Sequence, residues 1–448
     1  MMGAGLRYDG RPRTVPAVPP RVADDMRLPF RALMAFTFVL IIAPQTLFPV
    51  LASLRVALIA AGVAMMSYLF NRFVRHRPLV DFSREITLAA CLLGWVVITL
   101  PLSYWPGGSV SYLLNIYAKT LVIFWLLTQV INTAPRLGFA AWSLSLMALP
   151  LAVSGISHFA EGKFMAESRI VGYDAPLTGN PNDLALTLNL ILPLSIGLFL
   201  SRLGKPWLRG LLLVSIGLSV LGVIATYSRG GFLTLASIFV MYVSALWRRP
   251  RERHWALLAL LLAFFALPFL PGDYVERLST ITNIEADASG SAQERWGVSM
   301  AALEYMLFHP AVGAGLGMDV LALNELRGPA WKEVHNVYLQ YGVDLGIPGL
   351  MLFIMLLRAA LRSARQAQQT ARALAGDAPA GLFYLAESLR ISLIAFAVAA
   401  FFHPVGYHFY FYYFAGLAVA CRSIAARTAA PTQGTPAAAQ PATFRRYR

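Results

Sequence analysis

Apolar residues in this chain come in long unbroken runs instead of alternating with polar ones. Runs of roughly 16 to 22 residues recur from Phe30 almost to the end, and each is long enough to cross about 30 Å of hydrocarbon as a helix. Without a two-residue period a barrel is excluded, which leaves helices as the spanning elements. The pattern predicts twelve spans: 30–48, 52–70, 86–103, 112–132, 139–158, 182–201, 209–226, 231–247, 255–270, 344–361, 389–403 and 407–425. The expected class is an all-α polytopic membrane protein of about 12 transmembrane helices.

Polar positions between the runs set the orientation. With the N-terminus inside, loops 71–85, 133–138, 202–208, 248–254 and 362–388, together with the two tails and the adjoining helix ends, hold 28 of the 37 lysines and arginines, as the positive-inside rule requires. Both termini are therefore expected in the cytoplasm. Three longer segments then fall on the outer side: Phe159–Asp183, the turn Thr226–Phe232, and a loop of about 60 residues after Leu270. Structureless loops of that length are rare and usually functional. This one contains a helical pattern, Ser291–Phe308. The expected organisation is a cytoplasmic tail (1–29), spans 1–9 (30–270), a partly helical outer loop (271–334), a return segment with spans 10–12 (335–427), and a disordered tail (428–448).

Composition narrows the class further. The chain is 58% hydrophobic and 13% charged, against about 25% charged in soluble domains. Its net charge of +15 lies in loops and tails and does not point to nucleic acid. The Arg- and Pro-rich start lacks the apolar core of a signal peptide. Two cysteines in apolar context, Cys91 and Cys421, give neither a disulfide framework nor a metal-ligand spacing. Internal symmetry and mid-membrane ionisable groups would favour a secondary transporter. No repeat is visible here, and the candidate groups gather on one face.

Several outer-side residues can carry chemistry. Arg229 lies in a turn between two apolar spans, where a cation is either functional or a snorkelling anchor. Its guanidinium fork suits phosphate. Gly230 and Gly231 would let a ligand approach the backbone. Arg295 opens the loop helix, either as a second phosphate contact or as a solvated residue paired with Glu294 or Glu285. Arg169 and Lys163 are further cations of the first outer segment. His335 stands just before a span and is neutral near pH 7 with an ordinary pKa of about 6.5. It reads as a general base or as a histidine bonding a loop carbonyl. His158, His309, His403 and His408 compete with it, and the last two could share its cavity. Arg55 reads as a snorkelling cation, and Lys119, with Asn115 one turn away, could face a polar cavity. Glu285–Asp287 is the nearest approach to an acidic metal motif. No Walker loop, GxSxG or HExxH is present, so a transfer reaction would draw on an activated donor and not ATP.

Taken together these segments resemble the O-antigen ligase and polymerase superfamily of bacterial membrane glycosyltransferases. The matching pieces are Gly179–Asp183 (GNPND), Tyr227–Leu233 (YSRGGFL), Arg295 upstream of His309–Gly315 (HPAVGAG), and His335–Leu339 (HNVYL) followed by Gly346–Gly349 (GIPG). They cover about residues 160–360. Within the superfamily the chain looks most like an O-antigen ligase.

That resemblance implies a GT-C-like fold in the bacterial inner membrane with its active site facing the periplasm. It implies inverting transfer of polysaccharide from undecaprenyl diphosphate to a sugar hydroxyl of lipid A–core, with no cofactor and no metal. The family's essential histidine maps onto His335 and its two arginines onto Arg229 and Arg295, with Arg169 and Lys163 as further diphosphate contacts. Asn336, Gly230, Gly231, Asn180 and Asn182 would support them. An O-antigen polymerase uses the same donor and stays open as an alternative. A protein O-glycosyltransferase is less expected, because no outer domain follows the last span.

Overall fold

The computed structural model describes residues 26–165, 169–170, 172–175, 177–269, 272–279, 290–328, 331–374, 376 and 378–430. Most of the expected N-terminal tail, nearly all of the C-terminal tail and the Glu285–Asp287 acids lie outside the described residues.

The apolar runs become helices whose ends follow capping chemistry. Helix α1 (Arg27–Ile42) stops at Ala43, which is left-handed (φ 47°), ahead of Pro44. Proline lacks an N–H and restricts the residue before it, so the expected span 30–48 is cut short. Two short turns, Pro44–Leu47 and Pro49–Ser53, lead to α2 (Val56–Val74). Helix α3 (Arg84–Thr99) begins where the Ser83 side chain accepts from Ile86 N. Helix α4 (Pro106–Val130) starts earlier than hydropathy suggests and contains a π-helical turn at Leu113–Tyr117. Four more apolar helices follow: α5 (Ala134–Ala160), α6 (Pro181–Leu200), α7 (Pro206–Ala225) and α8 (Arg229–Trp247). Then come α9 (Arg253–Phe269) and three helices of the polar segment, α10 (Gly272–Ser279), α11 (Ser291–Phe308) and α12 (Asp319–Arg327). The chain closes with α13 (Val337–Ala373), α14 (Leu382–Ala399) and α15 (Phe409–Ala429).

Among the described residues, ten helices are long and apolar enough to cross a membrane. The other two of the twelve expected spans form α1, of 16 residues, and α9, which is likewise shorter than those ten. The protein is thus all-helical and polytopic. Its one described strand pairing is a two-residue ladder, Phe164 with Ile170 and Met165 with Arg169.

Helices α6 and α15 are the most enclosed, and α13 crosses α15, α14 and α3. Small residues set the close approaches, as is usual where lipid gives no hydrophobic drive. A Cβ on Gly197 of α6 would lie 2.9 Å from the Tyr384 carbonyl of α14, and one on Gly416 of α15 would lie 2.9 Å from Leu127 of α4. Buried ion pairs tie the bundle at the end away from the start of α13. There Glu85 accepts two Arg422 N–H groups at 3.2 Å and the Ser363 hydroxyl at 2.5 Å, joining α3, α13 and α15. Glu387 likewise meets Arg249 and, at 3.0 Å, Gln368. Buried carboxylates survive when several donors satisfy them.

The expected span 344–361 is corrected at both ends. Asn336 caps the helix by accepting from Tyr338 N and Leu339 N, so α13 begins at Val337. Gly346 (φ 67°, ψ −173°), ahead of Pro348, is a break inside the helix and not its start. A Cβ there would sit 2.7 Å from the carbonyl oxygens of Pro310 and Ala311. The His309–Gly317 loop packs into this break. Ile347 N donates to Pro310 O at 2.8 Å, and Ala314 N to Val343 O at 2.7 Å. The buried Asp344 carboxylate accepts from Gly317 N and Met318 N, both at 3.1 Å.

Candidate active site

A cavity of about 430 Å³ opens where α6 and α13 begin, walled also by α4, α12 and the 402–410 segment. It gathers residues far apart in sequence: Asn180, Asn182 and Asp183, then Asp319, Glu333 and His335, then His403 and His408. Hydroxyl-binding and proton-accepting groups dominate this wall.

His335 stands two residues before α13, and the adjoining Val337 N–H is anchored to Ala400 O at 2.7 Å. Its Nδ1 lies 2.9 Å from Glu333 O. A carbonyl oxygen only accepts, so Nδ1 carries the proton. The neutral ring then holds its lone pair on Nε2. The loop-carbonyl reading of this histidine is what the structure shows, and the bond fixes a tautomer that leaves Nε2 as the acceptor nitrogen. Burial first, then the Arg295 guanidinium, pushes its pKa down to about 4, with smaller contributions from His403 and Lys332. His335 is therefore neutral throughout the physiological range.

The other histidines divide by contact. The His403 ring is buried, with its nitrogens 3.0 and 3.2 Å from the carbonyls of Ala399 and Asn182, and so it braces α14 against α6. His408 also lines the cavity, and burial lowers its pKa. His309 ends α11 and stacks on Tyr305 with 4.1 Å between ring centroids. His158 lies at the end of α5, near Glu161.

The two arginines meet the first turn of α11. Arg229 is the first residue of α8 and donates to Ser291 Oγ at 2.8 Å. Ser291 starts α11, and Arg295 sits one turn further along it. The Arg295 charge acts on His335. Glu294, its expected partner, is within 3.3 Å of Lys332 instead. Neither arginine is among the residues lining the cavity. They stand together at the start of α11, from which the Arg295 charge reaches His335.

Helix ends reinforce that charge. Ser228 caps α8 by accepting from Gly231 N at 3.1 Å, and its hydroxyl donates to Asn182 Oδ1 at 2.8 Å in the first turn of α6. Asn180 caps α6 by accepting from Asp183 N. Together with Asn336 and the start of α11, four helix N-termini converge here. The positive dipole ends of these helices favour anions.

Other expected contacts are placed differently. Gly230 and Gly231 are buried. A Cβ on Gly230 would lie 2.8 Å from Phe402, and one on Gly231 2.7 Å from Ala185. They admit neighbouring helices, not a ligand. Lys163 is exposed and paired with Glu161 at 2.6 Å. The Arg169 side chain falls outside what is described.

Sequence reasoning passed over Asp319 and Glu333. Burial raises the pKa of both, and the Asp319 charge adds to the shift of Glu333. Asp319 accepts from Val334 N at 3.0 Å and so holds the strand of chain that presents His335. Asp344, an acid inside an expected span, was the signal available for this region. Among the described residues no group of three His, Cys, Asp or Glu side chains is placed to hold a metal ion.

Residues 214–354 match the model of a family described as O-antigen ligase, and residues 22–171 match that of a family of unknown function. No curated protein matches the chain. The first match runs from α7 into α13 and contains Arg229, Arg295 and His335. It supports the O-antigen ligase superfamily resemblance that the motifs carry, and an O-antigen ligase or polymerase type of function.

Proposed function

We propose that this chain is an O-antigen ligase. It would transfer polysaccharide from undecaprenyl diphosphate to a sugar hydroxyl of lipid A–core, in the bacterial inner membrane. Both termini would face the cytoplasm, and the cavity with its 271–334 segment the periplasm. The single observation that carries the reading is His335. It is a neutral histidine with its tautomer fixed and Nε2 available, lining a polar cavity and within reach of the Arg295 charge.

In this reading the donor diphosphate lies against Arg229, Arg295 and the converging helix ends. The acceptor hydroxyl enters from the cavity. His335 Nε2 takes its proton as the oxygen attacks the anomeric carbon. The bond from that carbon to the diphosphate oxygen breaks, its electron pair leaves on the diphosphate, and the configuration inverts. Cationic groups fixed where charge accumulates are commonly the largest catalytic term, and general base catalysis contributes about 10²–10⁴-fold.

Purified protein, carrier-linked glycan and lipid A–core test the reading. His335→Ala should lower transfer by about 10²–10⁴-fold without changing thermal stability, and near-normal transfer would remove His335 as base. His408→Ala is the companion variant. If it alone abolishes transfer, the base is His408. In cells, loss of the protein should leave bare lipid A–core. Core capped by a single repeat would instead indicate a polymerase.

A further inference from the structure

A second chamber lies beside the first. A lateral groove of about 810 Å³ opens between α1, α2 and α4. Most of its wall is apolar, but Gln45, Arg55, Asn115 and Lys119 interrupt it. The two chambers share walls. On the π-helical turn of α4, Ile116 lines the cavity while Asn115 and then Lys119 line the groove. At the start of α15, His408 and Tyr410 line the cavity while Phe409 lines the groove.

The charges in this groove are unanswered. Lys119 sits near the middle of the 25-residue α4, and Arg55 immediately precedes α2. Both side chains are exposed towards the groove. Neither has an ion pair or hydrogen bond among the described residues. A lysine at that depth without an anion is costly, and such residues mark functional sites. Gln45 adds an independent sign, because its Oε1 is buried with no hydrogen-bond partner. The groove therefore has two cations towards its polar end, beside the buried Gln45 amide, and apolar wall beyond.

We propose that this groove seats the acceptor lipid of the transfer reaction by its phosphate-bearing, hydroxyl-bearing headgroup, an assignment that rests on the glycosyltransferase reading above. A headgroup phosphate answers Lys119 and Arg55 across the groove. The acyl chains lie along the apolar wall past Val122 and Met65. The donor is excluded by position, because its diphosphate is assigned to the arginines at α8 and α11. The shared wall at Phe409 puts a lipid held here next to the cavity that receives its sugar.

The test uses the full-length protein in phosphatidylcholine nanodiscs with a photocrosslinking residue at Leu58, which lines the groove. Lipid A–core should crosslink, and its dephosphorylated form should not. Lys119→Ala/Arg55→Ala should lower capture and raise the acceptor KM about tenfold, the worth of one good contact, with donor KM and kcat unchanged. Lys119→Arg, which keeps the charge, should restore capture and checks that the double variant is not simply misfolded. Equal capture by the double variant, or capture of dephosphorylated acceptor or phosphatidylglycerol as efficient as that of lipid A–core, would overturn the assignment. The two readings fail separately. Wild-type protein that captures the phosphorylated acceptor but transfers nothing sinks the transferase reading and leaves the groove. Normal acceptor kinetics in the double variant sink the groove alone.

Discussion

The acid limb of the pH profile offers the sharpest check on His335. A base works only when neutral, so the rate rises with pH through its pKa. Burial and Arg295 bring that pKa from the ordinary 6.5 to about 4 in the free enzyme. At pH 5.5 a histidine of ordinary pKa is only about one-tenth neutral, whereas one at about 4 is almost wholly so. The difference is about tenfold in active enzyme, far above assay noise. The profile of kcat/KM for the donor should therefore stay flat down to roughly pH 5, since it reports the unliganded protein. The kcat profile should fall at higher pH, because a bound diphosphate favours the imidazolium and raises the pKa. Arg295→Gln removes the second-largest cause of depression and should move the kcat/KM limb upward, by less than burial alone maintains. Glu333 also titrates near the site, so Glu333→Gln serves as the control and should leave the His335 limb in place. A kcat/KM limb at pH 6–7 in the wild type, or no movement in Arg295→Gln, would refute this account of the base.

Three further outcomes follow from named contacts. Arg229→Lys keeps the charge but loses the planar fork and the reach to Ser291, so donor KM should rise and kcat fall together; unchanged donor kinetics would remove Arg229 from diphosphate contact. Gly231→Ala places a methyl 2.7 Å from Ala185, and overpacking of that kind costs about 1–3 kcal/mol, so thermal stability in detergent should drop; an unchanged transition temperature would show that α6 and α8 can part there. Asp344→Asn turns one of two accepting oxygens towards a backbone N–H as a donor, so limited proteolysis should cut the 309–317 loop faster than in the wild type, and equal cutting rates would show that the loop does not depend on this carboxylate.

How much of the fold was legible depended on whether polar residues stayed outside the helices. Apolar runs located the helical segments, because hydropathy sees what lipid sees. It failed at α13, whose first turns contain Asn336, Gln340 and Asp344. Each is satisfied inside the protein: Asn336 by capping, Gln340 by accepting from Gly406 N at 3.0 Å, Asp344 by two loop N–H groups. A window average counts such residues as solvent-facing and places the span too late. At α1 the error ran the other way. The 30–48 run is largely apolar, yet Pro44 breaks it, and hydropathy is blind to a missing N–H.

The candidate site was legible only as a set of residues on one side of the bundle. His335, Arg229 and Arg295 each had a bland alternative, and nothing in linear order decides between them. In three dimensions the cavity wall and the arginines come from different helices, and the proposed roles rest on that arrangement. Acids, amides and histidines line the cavity, while the arginines stand outside it along the start of α11. In the proposed reaction this separation has a consequence. An inverting displacement needs the incoming hydroxyl and the departing diphosphate on opposite faces of one carbon, and a base that is never an ion-pair partner of the diphosphate's cations. In that proposed reaction a histidine that lines the cavity and lies within reach of the Arg295 charge, as His335 does, would meet both demands.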